Sequence, residues 1–429
     1  MTATNAERPA ADVVFRNCRE LITCAGPAPR RGAAQGDVEV VPDGALAIRG
    51  ERVVFAGPTT SVESHVSTSS ARLVDASHLS IVPGFVDAHT HALYAGDRRA
   101  ELRRRLAGAT YADIAAAGGG IVSTVHATRD ASEEELIGQS RRRLDEMLAC
   151  GTTTCEIKSG YGLALESELR MLRATRGLGA DHPLDIVATF MGAHEIPGEY
   201  RSRREAYVRL VIEEMIPAVA AEGLAEWCDV FCEDGVFTPA ESRSILEAGL
   251  AAGLAARIHA DELGPSGGSH VAAQVGARSA DHLIFVPDEG IEAMAAAGVT
   301  ATLLPCAAFY LKLARFAPAR DLIAASVPVA LATDVNPGGG FSPSMPFAMT
   351  LACFAMGMTF EEALAAATIN SAWSLDRAGD VGSLEPGKLA DAVFVRGDAV
   401  NLIRVGAPSI AAVMKRGHLR HGDLTDEAD

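Results

Sequence analysis

The stretch IVPGFVDAHTHALYAG at residues 81–96 constrains the fold of this chain more than any other. An apolar run leads into Asp87 and then into His89 and His91. Successive side chains of a strand point to opposite faces, so the two imidazoles share one face. Two imidazoles at the end of a buried strand can bind one metal ion. A lone His-x-His pair is weak evidence for a metal site. The residues at the ends of the later strands strengthen this interpretation.

The composition indicates a folded protein and excludes two classes of partner. With 429 residues, of which 48% are hydrophobic and 22% charged, the chain can bury one large core or two smaller ones. Its net charge of −17 argues against nucleic acid and anionic membrane, which both require a basic face, but permits a small anionic substrate. No long apolar stretch or secretory signal is present, so we expect a cytoplasmic protein. The eight cysteines show no zinc-site spacing and should be mostly buried, reduced thiols.

The two ends of the chain share a β-rich pattern that the middle lacks. Near the N-terminus, GALAIRGERVVFAGP has two alternating runs around an Arg-Gly turn at residues 49–50. Near the C-terminus, LADAVFVRGD and IAAVMKRGHLR repeat this pattern. We therefore predict a small β-sandwich-like domain built from residues 1–76 and 376–429, with a central domain at residues 77–375.

The central region alternates apolar strands with helical segments, which is typical of parallel βα units. Eight candidate strands lie at residues 81–89, 152–158, 184–192, 227–233, 255–260, 279–286, 299–305 and 328–334. Helix-like segments between them include residues 133–150, 203–223 and 239–253. Ser132 and Glu135 give the first of these a capping box. The pattern predicts an α/β fold, a (β/α)₈ barrel of the TIM type. A doubly wound open sheet is the alternative, but Gly118-Gly119-Gly120 follows a helix and is not the phosphate loop such a sheet would usually carry.

Polar side chains fall at the carboxyl ends of these strands, where barrel enzymes place their active sites. They are His89 and His91 after strand 1, Lys158 and Tyr161 after strand 2, His194 after strand 3, His259, Asp261 and Glu262 after strand 5, Asp281 and His282 after strand 6, and Asp334 after strand 8. Five of the twelve histidines lie at these positions, which random scatter would rarely produce. Each residue alone would more often be an ordinary interior side chain, but the group predicts a shared site.

Three imidazoles and one carboxylate form the candidate metal site, namely His89, His91, His259 and Asp334. This set suits Zn²⁺ or iron with water in an open position. The ion would lower the pKa of that water and generate a hydroxide nucleophile. His282 is a candidate to orient or deprotonate the water, and Glu262 is a candidate to move its proton to the leaving nitrogen.

The lysines and arginines near the strand ends refine this prediction. Strand 4 ends at Glu233 without a lysine that could be carboxylated to bridge two metals, so one ion is expected. Lys158, on strand 2, is left with a supporting or structural role. Arg98 follows the first strand by a short loop, and its guanidinium would bind a substrate carboxylate in a bidentate pair. Most of its neighbours should lie on a solvated helix face, namely Arg99, Arg103, Arg104 and Arg105.

Together these motifs resemble the amidohydrolase superfamily and, within it, the imidazolonepropionase family, over about residues 12–417. The most specific segments are DAHTHALYAGDR (87–98), LAGATYADIAAAGGGI (106–121), EIKSGYGL (156–163), TFMGAHEIP (189–197), DVFCEDGVF (229–237), HADEL (259–263), SADHL (279–283) and TDVNPGG (333–339). The His-x-His pair alone is typical of the superfamily. KSGYGL and AGATYADIAAAGGGI narrow the resemblance to the family.

The resemblance implies a hydrolase that opens the ring of 4-imidazolone-5-propanoate to N-formimino-L-glutamate in histidine degradation, with metal-bound hydroxide attacking the ring carbonyl. It implies one zinc or iron ion per subunit on the four ligands above, with Glu262, His282 and Asp334 as catalytic residues. The implied substrate contacts are Arg98, Tyr161, His194, Glu262, Asn336, Gly338 and Gly339. A homodimer is implied as well.

Two positions depart from the family pattern, and two other functions stay open. Ala88 replaces a frequent proline, and Gly339 replaces a serine or threonine hydroxyl that commonly contacts substrate, a loss of about 0.5–1.5 kcal/mol. A related deaminase would use the same metal ligands but release ammonia and need no arginine for a carboxylate. A non-catalytic scaffold would typically have lost metal ligands, which are all present here.

Overall fold

The computed structural model describes residues 8–109, 113 and 118–424. Within this part of the chain, strands from both termini build a small domain. They are β1 (Val13–Ile22), β2 (Val40–Arg49), β3 (Arg52–Pro58), β4 (Arg72–Asp75), β5 (Leu79–Pro83), β14 (Ala392–Arg396), β15 (Ile410–Lys415) and β16 (His418–Gly422). These strands form one eight-stranded sheet in the order β16-β15-β14-β5-β1-β2-β3, with β4 beside β1. The predicted pairing of the two termini in one domain is confirmed.

The terminal sheet is curved around its own apolar core. Phe15 on β1 and Phe394 on β14 have ring centroids 4.9 Å apart, although β5 lies between their strands. Leu46, Ile48 and Met414 are buried in the same cluster. Two arms of the sheet therefore face each other across a shared core, which is the sandwich-like arrangement that the alternating terminal patterns predicted.

The central strands form a parallel barrel. They are β6 (Phe85–Asp87), β7 (Thr152–Lys158), β8 (Asp185–Ala193), β9 (Trp227–Cys232), β10 (Ala255–Ala260), β11 (Ser279–His282), β12 (Thr300–Leu303) and β13 (Val329–Leu331). Each pairs in parallel with its neighbours in sequence order. The ring is completed past the ends of β13 and β6, where Asp334 N donates to His89 O at 3.1 Å and His91 N donates to Val335 O at 3.0 Å. The predicted (β/α)₈ barrel is confirmed.

The strands predicted at 299–305 and 328–334 are shorter in the structure, and those predicted at 81–89 and 279–286 were wrong in extent for clear local reasons. The apolar run at 81–89 does not form one barrel strand, because Leu79–Pro83 pairs with β1 and β14 in the terminal sheet and only Phe85–Asp87 enters the barrel. The break falls at Gly84, where a Cβ would meet the Thr153 side chain at 2.5 Å. The strand predicted at 279–286 ends at His282, because the φ angles of His282 and Leu283 are +76° and +57° and turn the chain away.

Helices cover the outside of the barrel and line its rim. They are α1 (Val62–His65), α2 (Arg99–Leu106), α3 (Ile121–Asp130), α4 (Glu133–Ala149), α5 (Leu165–Asp181), α6 (Arg204–Leu210), α7 (Ile216–Glu222), α8 (Pro239–Ala251), α9 (Gly268–Val275), α10 (Asp288–Ala297), α11 (Pro305–Tyr310), α12 (Ala319–Ala324), α13 (Met345–Met356), α14 (Phe360–Ala367) and α15 (Ile369–Ser374). A π-helical turn, Val211–Met215, joins α6 to α7, and short 3₁₀ turns lie at Gly32–Gly36, Thr59–Ser61, Gly198–Tyr200 and Ala399–Ile403. The predicted capping box at Ser132 and Glu135 is present at the start of α4.

The terminal domain is joined to the barrel by a buried lysine. Lys415 on β15 donates to Asp391 at 2.6 Å and to Asp185, at the start of barrel strand β8, at 2.7 Å. The division at residues 76 and 376 stays a prediction, with β5 lying in the terminal sheet although its residues fall inside the range 77–375. All eight cysteines are free thiols, and six of them are buried. Among the described residues, no helix has the length and apolar character needed to span a membrane.

Candidate functional site

The four predicted metal ligands converge at the carboxyl end of the barrel. His91 Nε2 lies 3.3 Å from His259 Nε2, and the Oδ1 atom of Asp334 lies 3.6 Å from His89 Nε2 and 3.8 Å from His91 Nε2. All four side chains are buried, and His89 Nε2 has no hydrogen-bond partner among the described residues. Nitrogen and carboxylate atoms that face one another at such distances, with one buried nitrogen unsatisfied, fit a divalent cation.

The protonation of these residues also fits a cation. Burial and the neighbouring Lys158 and histidines hold the pKa of His89 well below its ordinary value, and burial acts likewise on the pKa of His91. Both rings are therefore neutral, which is the form that binds metal. Burial raises the pKa of Asp334 to about 7 in the metal-free site. A divalent cation would supply the positive charge that this buried carboxylate lacks.

Two aspartates orient the imidazoles from behind. His89 Nδ1 lies 2.7 Å from Oδ2 of Asp281, and His259 Nδ1 lies 3.1 Å from Oδ1 of Asp229. A carboxylate at Nδ1 makes this nitrogen the donor, which leaves Nε2 of each ring with its lone pair toward the centre of the cluster. The sequence places Asp281 at a strand end but gives no sign that Asp229 is a partner of His259.

A buried charge network lies beneath these aspartates. Lys158 Nζ contacts Asp229 at 2.6 Å and Glu156 at 2.8 Å, and Arg257 Nε lies 3.2 Å from Glu156. Burial opposes ionisation of Asp229, but Lys158 and His259 outweigh it and hold the pKa of the carboxyl well below its usual value. Lys158 therefore supports the candidate ligand His259 through Asp229, which agrees with the supporting role predicted for it from the sequence.

The two proton-transfer candidates lie beside the cluster. His282 Nδ1 is 3.5 Å from Oε1 of Glu262. Neither ring nitrogen of His282 has a hydrogen-bond partner in the described part of the chain. Burial and the nearby Asp334 raise the pKa of Glu262 well above its ordinary value, so the carboxyl readily binds a proton. The nitrogens of His89, His259 and His282 also lie within 4.8 Å of one another, which places His282 close enough to contact a bound ion or its water.

A cavity of about 660 Å³ opens above the cluster. Its lining includes all of the predicted substrate contacts, namely Arg98, Tyr161, His194, Glu262, Asn336, Gly338 and Gly339. The candidate metal ligands His91, His259 and Asp334 also line it, and Phe231 adds an apolar wall. Residues 110–112 and 114–117 of the segment LAGATYADIAAAGGGI lie outside the described residues. The structure therefore brings the predicted metal ligands and the predicted substrate contacts to one cavity.

The KSGYGL segment is shaped by a carboxylate that the sequence analysis missed. Glu168 on α5 accepts backbone hydrogen bonds from Gly160 at 3.0 Å and from Gly162 and Leu163 at 2.8 Å each. Gly160 O in turn lies 3.0 Å from His194 Nδ1, and the His194 ring stacks on the His91 ring with centroids 4.8 Å apart. Glu168 thus fixes the loop that orients His194. The sequence places Glu168 in the first turn of a helix but gives no sign that the residue is buried.

The loop after β13 is held by its own asparagine. Asn336 Oδ1 accepts from Gly338 N at 2.8 Å and from Gly339 N at 2.6 Å, and Asn336 Nδ2 donates to Asp334 O at 2.8 Å. A Cβ on Gly338 would overlap the Arg98 guanidinium, with Cζ at 2.5 Å, so the guanidinium packs directly on this glycine. The side chain of Asn336 therefore holds the conformation of this loop, and the missing side chain of Gly338 leaves space for Arg98.

One arginine of helix α2 is buried, although the sequence predicted that it would be exposed to solvent. Arg99, Arg103 and Arg104 are exposed as predicted, but Arg105 is only 6% exposed and lines the cavity. Arg105 donates to Tyr310 O at 2.9 Å and to Gly338 O at 3.0 Å. Its burial follows from helical spacing, since it lies seven positions after Arg98 and on the same face.

Comparison with known proteins agrees with this geometry. The amidohydrolase family profile matches residues 80–420. An imidazolonepropionase from Symbiobacterium thermophilum is 51% identical over 95% of this chain and 97% of its own length. Among solved structures, a triazine hydrolase from Arthrobacter aurescens superposes with a TM-score of 0.74 at 19% identity, covering 97% of this chain and 96% of that one.

A second solved structure is an adenosine deaminase from Xanthomonas campestris with bound zinc. Its TM-score is 0.68 at 17% identity, and the match covers 97% of this chain and 94% of that one. At such identities the two structures establish the fold alone. The family profile and the sequence relatives go further, and the chain belongs to the amidohydrolase family and, within it, to the imidazolonepropionases.

Proposed function

We propose that this protein hydrolyses 4-imidazolone-5-propanoate to N-formimino-L-glutamate in histidine degradation. The observation that supports this most is one cavity that contains both an imidazole–carboxylate cluster of metal-binding type and a buried arginine, Arg98. The first feature suits hydrolysis of a cyclic amide, and the second suits a carboxylate tail. The imidazolonepropionases that are about half identical to this chain support the same reaction.

The proposed metal site is formed by His89, His91, His259 and Asp334. A divalent cation bound there supplies a water of lowered pKa, and so a nucleophile near neutral pH. Three imidazoles and one carboxylate are compatible with zinc and with iron, and we propose one ion of either kind per subunit. The zinc in the related adenosine deaminase fold supports zinc as the first metal to test.

The proposed proton transfers use Glu262 and His282. Water adds to the ring carbonyl carbon, the bond from this carbon to the ring nitrogen breaks, and the nitrogen takes up a proton. Glu262 accepts the proton from the attacking water and delivers it to the departing nitrogen, because burial gives its carboxyl a raised proton affinity. His282, 3.5 Å from Glu262, orients the water and the developing oxyanion.

The tail of the substrate lies toward Arg98, Tyr161 and His194 in this proposal. Arg98 supplies a guanidinium that matches a carboxylate in two parallel hydrogen bonds. The loop of Gly338 and Gly339 forms the adjoining wall. A fixed tail places the ring carbonyl above the metal ligands, which contributes to rate through orientation.

Product identification tests the proposal. Purified protein is mixed with freshly generated imidazolonepropanoate, and the product mass is measured. A ring-opened formimino acid supports the proposal, whereas release of ammonia from a preferred heterocycle would indicate the deaminase. Protein that binds no zinc or iron and turns over neither substrate would indicate the scaffold instead. Arg98→Ala should raise KM sharply and change kcat less than KM. An unchanged KM would show that Arg98 does not bind the substrate.

We also propose a homodimer that acts in the cytoplasm. Phe354 on α13 is 79% exposed, so its substitution tests whether this face takes part in a dimer. Sedimentation of the purified protein and of Phe354→Ser distinguishes a dimer that uses this face from a monomer or from a dimer that forms elsewhere.

A further inference from the structure

Three charged residues are buried on the inward side of α2, one of them at its N-cap and two within the helix. Arg98, Glu101 and Arg105 are 8%, 7% and 6% exposed, and they lie three and seven positions apart, so they project from one side of the helix. Arg103 and Arg104 on the same helix are exposed. Buried charges persist only when they are paired or hydrogen-bonded. The partners of these three residues therefore show what the helix face does.

Glu101 uses both of its carboxylate oxygens. Its Oε2 atom accepts from Arg98 Nε at 2.8 Å, and its Oε1 atom accepts from the backbone N–H of Gly120 at 2.8 Å. The second bond anchors the carboxylate on the loop before α3. The first bond occupies only the Nε edge of the Arg98 guanidinium, which leaves the edge of the two terminal nitrogens for another acceptor.

Gly338, which is itself held by Arg105, also restricts the position of the Arg98 guanidinium. The Arg98 group packs on the Cα of Gly338, where a Cβ would meet its Cζ at 2.5 Å. Arg105 holds the same glycine by donating to Gly338 O at 3.0 Å. The guanidinium is thus limited by Glu101 at its Nε edge and by Gly338 at its face.

We propose that Glu101 is a positioning residue for the carboxylate tail of the substrate. It fixes the rotation of the Arg98 guanidinium so that the two terminal nitrogens meet a single carboxylate in the cavity. It also compensates one of the two buried arginine charges, which favours a tail with one negative charge. This inference rests on the proposed function, and it assigns to Glu101 an effect on binding that acts entirely through Arg98.

A double-mutant cycle tests the proposal. The variants are Glu101→Gln, Arg98→Met and their combination, with the exposed Glu134→Gln on α4 as a matched control. The substrates are imidazolonepropanoate and its propanamide analogue, which lacks the charge. Glu101→Gln should raise KM for the acid about tenfold, the size of a charge-assisted hydrogen bond, with kcat within about twofold. It should change neither constant for the amide, and it should add nothing in the Arg98→Met background.

The outcomes separate this inference from its alternatives. Equal losses on both substrates, or additive losses with Arg98→Met, would show that Glu101 only anchors α2 and would overturn the proposal. Glu101→Asp keeps the charge on a shorter side chain, so its KM for the acid should lie between those of the wild type and Glu101→Gln. Glu101→Asp can still be compared with the wild type if Glu101→Gln folds poorly. Wild-type protein that turns over neither of the two substrates would count against the proposed function. In that case the same cycle, read by calorimetry of N-formimino-L-glutamate binding, still decides the role of Glu101.

Discussion

The Nδ1 atom of His89 lies 2.7 Å from the carboxylate of Asp281, and both side chains are completely buried. This contact fixes Nδ1 as the donor and points Nε2 toward His259 and Asp334. Because the ligand geometry depends on a residue from a different strand, the metal site is a property of the assembled barrel.

Asp281→Asn should weaken metal binding by about 10- to 100-fold, since the amide is a poorer acceptor for Nδ1–H and no longer raises the basicity of the ring. Competition with a chromogenic chelator measures the affinity. The exposed Asp288→Asn is the control and should bind metal like the unmodified protein. An Asp281→Asn protein with unchanged metal affinity would falsify the proposed orientation of His89.

Removal of the metal should abolish hydrolysis while the fold persists. The four buried candidate ligands would enclose the ion, so slow loss to a strong chelator is expected, with recovery after addition of zinc or ferrous iron. Activity and metal content are measured on the same samples, and circular dichroism follows the fold. Full activity in protein shown to contain no metal would contradict the metal-dependent mechanism.

Gly338→Ala should raise KM at least tenfold with little loss of thermal stability. The new Cβ meets the end of the flexible Arg98 side chain, which can move away at small cost but then no longer faces the tail. The exposed Gly138→Ala on α4 is the matched control, because a Cβ there would meet nothing within 4 Å. Similar KM values for the two variants would argue against the packing of Arg98 on Gly338.

Lys158→Met should destabilise the protein by about 3–5 kcal/mol, because it leaves Asp229 and Glu156 buried without their shared cation. Denaturant unfolding of metal-free protein gives the free energy. The exposed Lys312→Met should change it by less than about 0.5 kcal/mol. Equal stabilities for the two variants would mean that the buried network contributes nothing to folding.

His194 should make the metal-free protein less stable in acid. Burial lowers its pKa to about 3, whereas the unfolded value is about 6.5. The unfolded state therefore binds the proton first, and stability is lost as the pH falls below about 6.5. Between pH 7.5 and 5, His194→Gln should lose about 2 kcal/mol less than the unmodified protein.

Unfolding free energies at both pH values, measured without metal, check the His194 prediction. The exposed His418→Gln should keep the pH dependence of the unmodified protein. A His194→Gln protein with that same dependence would show that His194 titrates alike in the folded and unfolded states.

The sequence by itself determined the barrel and the candidate ligands, because both depend on local patterns. Apolar runs separated by amphipathic helices predict parallel strands, and catalytic residue types directly after them predict a shared rim. The errors in the strands predicted at 81–89 and 279–286 have local causes that the pattern does not contain. Gly84 breaks a continuous apolar run between two sheets, and the left-handed φ angles of His282 and Leu283 end β11 early.

Only the tertiary structure decided which side chains support the site. Asp229, Glu168, Glu101 and Arg105 are ordinary charged residues in the sequence, and each acquires its role from partners on other segments. Burial determines these roles, since a charge removed from water must find a specific partner and is then held in one position. The spacing of residues along a strand or helix predicts which of them share a face. Which other side chains that face contacts is determined only when the barrel closes.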